Sequence, residues 1–229
     1  MNEMQSIIEN DLVSSINPRA KRLSLRVDNK AGVIRLSIPK WTMQRTIDRF
    51  LKNNEQWIAE RQAALLPKIN ITHGAVIPFQ GRDLTIEIIN HTKRTTLIDV
   101  RDDRLVIQTS RDDPTTNVKR WIVEQAREVI EPLAQEKATH IGKVISKIDL
   151  RDPSSRWGSC STDKRLMFSW RVIMAPPEVL EYLVSHEVAH LKHMDHSKKF
   201  WDLCYSLCAG SEQGHDWLKQ NGNTLLRYF

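Results

Sequence analysis

His186, Glu187 and His190 stand in the string HEVAH. On a helix, two histidines four residues apart are offset by about 40° around the axis and one turn along it, so both imidazoles can reach one metal ion. The pair suits zinc, and the glutamate beside the first histidine points near the ion but outside its ligand set, where it can take a proton from water held by the metal. The chemistry indicated is metal-dependent hydrolysis. The competing reading, two core histidines with a solvated glutamate, is decided by context.

The element that must position these groups reads as a buried amphipathic helix. Residues 176–185, PPEVLEYLVS, open with two prolines suited to a helix start, and Val179, Leu180, Leu183, Val184, Val188 and Leu191 form an apolar stripe. Catalytic zinc usually takes three protein ligands and leaves a position for water, so one more ligand is needed. His193 shares a face with His186, but on an unbroken helix it lies roughly 10 Å along the axis, too far for a bond of about 2.1 Å to the same ion. His196 follows Met194 and Asp195, and Asp-His-Ser can form a turn that caps a next helix over 197–207 and folds the chain back toward the ion. His196 is the expected third ligand, with Asp202, Glu212, His215 and Asp216 as the other candidates.

Further motifs surround this one in a fixed order: RWGSCS at 156–161, SWR at 169–171, APP at 175–177, HEVAHL at 186–191 and HSKKFW at 196–201. Together they resemble the YgjP-like metallopeptidases, strongly from about Leu150 to Cys208 and more loosely upstream, through residues 19–39 and the helix carrying Trp57 and Ile58. The resemblance implies a zinc-dependent peptidase fold related to the SprT-like and WLM groups. It also implies one zinc ion held by His186, His190 and His196, with Glu187 as catalytic base. Some relatives have been labelled nucleotide pyrophosphatases. The chain departs from the family pattern at Val188, where leucine is common, and at His193, where another residue is usual; neither is an expected ligand.

The fold class expected is α+β, an antiparallel β-rich N-terminal portion over 1–111 followed by a zincin-like metallopeptidase domain over 112–229 with HExxH on a buried helix. Leu23, Leu25 and Val27 alternate with polar residues, residues 28–32 supply turn chemistry, and Ile34, Leu36 and Ile38 alternate again, which predicts a hairpin. Met43, Ile47, Phe50, Leu51, Trp57 and Ile58 predict one helix over about 43–65, and runs at 84–88, 96–100 and 105–107 predict a small antiparallel sheet. Residues 112–116, DDPTT, mark the boundary and cap a long helix that Pro132 should kink or divide and Gly142 should end. A strand over 144–150 follows.

A second hairpin, 154–161 with 166–173, should pack on the metal helix, and its free edge could hold an extended peptide by strand addition. Arg156 or Arg171 could stabilise an oxyanion, or simply pair with a carboxylate. Trp157, Trp170, Phe200 and Trp201 read as core.

With 229 residues and 40% hydrophobic content the chain is long enough for a core, and no apolar run approaches the ~20 residues needed to cross a membrane. Residues 1–6 lack signal-peptide features, so a cytoplasmic location is expected. Three cysteines make no disulfide scaffold; Cys204 and Cys208 read as small core residues, and Cys160 is poorly suited as a nucleophile because water fills that role. A net charge of +6, spread along the chain, permits a weak nucleic-acid association but carries no readout motif.

The function expected is a zinc-dependent hydrolase, a metallopeptidase that cleaves a peptide or protein substrate with a Glu-activated, metal-bound water. Two alternatives are a metal-dependent nucleotide pyrophosphatase, which lacks a P-loop or a carboxylate-rich magnesium cluster here, and a nucleic-acid-associated protein with a structural zinc. A fourth protein ligand on the ion would favour the last.

Overall fold

The computed structural model describes residues 11–92 and 94–229, so the opening 1–6 segment lies outside the described residues. The chain divides into two compact units between Lys68 and Ile69. No helix among the described residues is long and apolar enough to cross a membrane.

The first unit contains the expected hairpin, β2 (Ser24–Asp28) with β3 (Val33–Ile38), closed by a turn in which Gly32 has φ 67°. A strand with no clear sequence signal, β1 (Leu12–Ile16), pairs with β3 in parallel. The helix expected over 43–65 is two helices, α1 (Gln44–Asn53) and α2 (Glu55–Ala63), because Asn54 leaves helical geometry at φ −115° and ψ 12°. Leu36, Ile38 and Ile47 form the buried core of this unit.

The second unit opens with a four-stranded sheet of order β4-β5-β7-β6, from β4 (Val76–Phe79), β5 (Arg82–Asn90), β6 (Leu97–Arg101) and β7 (Arg104–Thr109). β5 and β7 pair in parallel, so this sheet, like the first, is mixed where an antiparallel one was expected. The β4–β5 turn has positive φ at both Gln80 (49°) and Gly81 (76°), the backbone of a tight two-residue hairpin.

This sheet belongs to the helical unit, whereas the expected division ran between 111 and 112. The reason is shared packing. Leu84, Ile86, Leu105 and Ile107 belong to one buried cluster with Ile122, Ile130, Val184 and Val188, and Phe79 lies 5.2 Å from Trp121 between ring centroids. Gln80 N also donates to Ile173 O, and a Cβ on Gly81 would lie 3.2 Å from Pro177 Cδ, so the turn rests on the start of the metal-motif helix.

α3 (Thr115–His140) runs unbroken through Pro132. One missing N–H bond is outweighed by the burial of Val118, Ile122, Ala126, Ile130, Ala134 and Ala138 along one face. Gly142, at φ 65°, ends the helix as expected: Gly142 N bonds Thr139 O and Lys143 N bonds Ala138 O, the pairing of a Schellman motif.

A third sheet follows, of order β8-β10-β9, from β8 (Lys147–Arg151), β9 (Gly158–Cys160) and β10 (Arg165–Ser169), with β9 antiparallel to β10 at one edge. A buried 3₁₀ segment, Trp170–Met174, leads to α4 (Pro177–Ala189), and α5 (Lys198–Leu207) and α6 (Ser211–Asn221) close the chain before a last 3₁₀ turn at Gly222–Arg227. α4 packs against α3, α5, α6 and β9, and nine of its residues are buried.

Candidate active site

Pro177 at the first turn starts α4, and the helix stops at Ala189, inside the HEVAH string. His190 is the cap residue, and Leu191 N and His193 N bond back to Val188 O and Ala189 O. The unbroken helix assumed for His193 therefore does not exist. Instead, the His193 carbonyl oxygen lies 3.0 Å from His190 Nδ1, holding that ring with Nε2 free.

The chain then turns at 194–197, where Asp195 Oδ1 accepts from Ser197 N, and α5 starts at Lys198. This reversal puts His196 Nε2 at 3.2 Å from His186 Nε2.

His186, His190 and His196 offer ring nitrogens that all lie within 4.8 Å of one another. Two nitrogens bound to a tetrahedral zinc at about 2.0–2.1 Å stand roughly 3.3 Å apart, so the His186–His196 spacing and the all-imidazole donor set suit such an ion. Phe200, fully buried, touches all three rings and stacks on His190 at 4.4 Å. Burial, then the neighbouring imidazoles, hold His186 down at about 3, and burial also lowers His190. Both rings are thus neutral near neutral pH, with lone pairs available to a cation.

Glu187 leaves α4 on the side of β9 and is 4% exposed. A Cβ on Gly158 would collide with the Glu187 side chain, so only glycine lets strand and carboxylate meet. Burial pushes the Glu187 carboxyl up to about 8, and the Arg156 guanidinium pulls it the other way. Its Oε2 is buried with no hydrogen-bond partner, an expensive condition for a polar group of purely structural use. Beside it opens a cavity of about 340 Å³ lined by Trp157, Tyr182, Leu183, His215 and Lys219 among others.

Among the described residues, the other third-ligand candidates do not join the histidine group. Asp202 pairs with Lys198, His215 with Asp216, and His215 lines the cavity instead. The two arginines separate. Arg171 is wholly buried, with Nε 2.7 Å from Asp152 Oδ1 and further bonds to the Leu225, Tyr228 and Phe229 carbonyls, so it ties the C-terminal turn to the 3₁₀ segment. Arg156 is exposed near Glu187. Trp170 and Phe200 are core as expected, whereas Trp157 is half-buried and forms a cavity wall. Cys204 and Cys208 are buried, and Cys204 Sγ faces Ser211 Oγ.

Sequence reasoning missed three contributors. Gly158 stands in plain view in RWGSCS, but its partner is remote in sequence. Tyr182, four residues before His186 on the same helix, has its hydroxyl 3.3 Å from His186 Nδ1. The His193 contribution is a backbone carbonyl and leaves no side-chain signal.

The family described as YgjP-like, metallopeptidase domain, has a sequence model that matches residues 21–221. No curated protein matches the chain. Among solved structures, the metallopeptidase zymogen abylysin of Pyrococcus abyssi is similar with a TM-score of 0.37 and 19% identity, over 41% of this chain and 96% of that one. The metallopeptidase zymogen jannalysin of Methanocaldococcus jannaschii is similar with a TM-score of 0.35 and 23% identity, over 42% and 96%.

Proposed function

The chain belongs to the YgjP-like metallopeptidase family, and from that premise we propose that it is a zinc-dependent peptidase in which His186, His190 and His196 hold one ion and Glu187 is the catalytic base. Family membership makes it a metallopeptidase acting on peptides or proteins. The finer assignment is supported chiefly by one observation: a buried carboxylate oxygen without a partner stands next to three converging imidazoles. Three protein donors leave a tetrahedral ion one position for other chemistry, which favours catalysis over a structural role.

When bound, the ion supplies Lewis acidity, polarising the scissile carbonyl and acidifying water. Glu187 supplies the proton traffic. Its carboxylate takes a proton from the attacking water and returns it to the departing amine nitrogen, and the absence of a side chain at Gly158 leaves the carboxylate its place beside β9. The ionised form does this work, and the Arg156 guanidinium favours it against the larger effect of burial. Tyr182 and the His193 carbonyl hold the His186 and His190 rings, and Phe200 excludes water from beneath them.

The test pairs wild type with Glu187→Gln, measuring metal content and cleavage of unfolded protein on the same samples. Glu187→Gln is expected to keep its metal and lose about 10²–10⁴-fold in rate, and chelation is expected to abolish wild-type cleavage. Cleavage by metal-loaded Glu187→Gln at the wild-type rate overturns the assignment.

A further inference from the structure

The half-buried His186 ring and the buried His190 ring of the proposed site are oriented by different groups. His190 Nδ1 faces a backbone carbonyl, which can only accept a hydrogen. His186 Nδ1 faces the Tyr182 hydroxyl at 3.3 Å, and a hydroxyl can accept one hydrogen while offering its own.

The position of Tyr182 is set from both sides. It is 4% exposed, its ring stands edge-on to His186 with centroids 5.7 Å apart, and it lies one helical turn before that histidine on α4. Behind it is α6: a Cβ on Gly214 would collide with Tyr182 Cβ, so the glycine admits the tyrosine. In front is the cavity, which Tyr182 lines together with Glu187 and His215. Among the described residues, the hydroxyl's recorded hydrogen-bond partner is His186.

We propose that Tyr182 is the positioning residue of His186, accepting the Nδ1 hydrogen so that Nε2 is presented to the cation. The assignment rests on reading His186 as a ligand. A ring that gives its Nε2 lone pair to an ion carries its hydrogen on Nδ1, and that hydrogen needs an acceptor in a buried place.

The test uses the full chain. Tyr182→Phe keeps the ring and its Gly214 contact and removes only the hydroxyl. In competition with a chromophoric chelator its zinc affinity is expected to fall 10–100-fold, on the order seen when such outer partners are removed, with the melting temperature close to wild type. Gly214→Ala, which displaces the ring, is expected to weaken zinc similarly in the wild-type background and to add little to Tyr182→Phe.

Zinc affinity within twofold of wild type in Tyr182→Phe overturns the positioning role. His186→Ala is the control for the premise. If it binds zinc as wild type does, the ligand reading fails; if it does not and Tyr182→Phe does, the failure belongs to Tyr182 alone.

Discussion

Gly158 and Glu187 meet across β9 and α4 at a separation that leaves no room for a Cβ on the strand. The relationship joins an edge strand, paired to β10 through Phe168 and Gly158, to the carboxylate next to the histidine group.

Gly158→Ala is therefore expected to displace the Glu187 carboxylate while leaving the three imidazoles in place. A shift of about 1 Å at a catalytic group can cost on the order of 10²-fold in rate. Peptide cleavage should fall by that order while zinc content stays at the wild-type level, measured on one preparation. Loss of metal together with activity would mean that the strand supports the ligands instead.

Among the described residues Arg171 is the largest fully buried side chain, and its positive charge is met by Asp152 and by carbonyls of the last five residues. Arg171→Ala removes the donor to those carbonyls and leaves Asp152 to Lys119, and removal of one partner of a buried pair costs about 3 kcal/mol. Urea unfolding should show that loss, and Arg171→Lys should recover little of it, because an ammonium cannot span the carboxylate and the carbonyls as the planar guanidinium does. Full recovery by lysine would refute the clasp.

In the first unit, Asp28 accepts from Arg35 Nε at 2.7 Å and from Ala31 N at 3.0 Å. Burial acts to raise the Asp28 carboxyl, but these bonds and the charges of Arg35 and Arg26 outweigh it and hold the group below its ordinary 3.8. A depressed folded value means that the carboxylate stabilises the fold above the unfolded value and loses that contribution as pH falls through the folded one. The stability difference between wild type and Asp28→Asn should thus be steady near neutrality and shrink as pH drops below 3.8. A pH series of denaturant titrations checks it; a difference that grows in acid would contradict the sign.

Burial pushes the Cys160 thiol up to about 11, with the Glu187 and Asp163 charges adding to the effect. Its Sγ donates to the Ser161 carbonyl. Such a thiol is a poor nucleophile. Cys160→Ala should keep peptide cleavage within about threefold of wild type, and iodoacetamide at neutral pH should modify Cys160 at least tenfold more slowly than free cysteine. Rapid alkylation with loss of activity would bring the thiol back into the chemistry.

The hairpin of Leu25 and Leu36 and the long helix of Ile122 and Ala134 were legible because their apolar residues repeat at the period of the element. β1 was not, since Leu12–Ile16 shows no clean alternation and gains its place only by pairing in parallel with β3. Pro132 misled for the opposite reason: a local breaker was overruled by the burial of Ile130 and Ala134 on either side of it. The sheet of Leu84 and Ile107 was seen, but its membership of the helical unit was not, because the Phe79–Trp121 contact and the seat of Gly81 on Pro177 join residues far apart in sequence.

Residue type and helical spacing by themselves determined that His186 and Glu187 lie on one buried helix with His190 one turn beyond His186, and that a turn at Asp195 can return His196. These are local properties, set within a few residues by backbone geometry. Tertiary packing decided that α4 ends at Ala189, that the His193 carbonyl holds His190, that Tyr182 backs His186, and that Glu187 lies against Gly158 with one oxygen left without a partner. The contacts of Gly158 with Glu187 and of Gly214 with Tyr182 depend on how α4 is enclosed by β9 and α6, and close packing between remote segments is written in no single stretch of the chain.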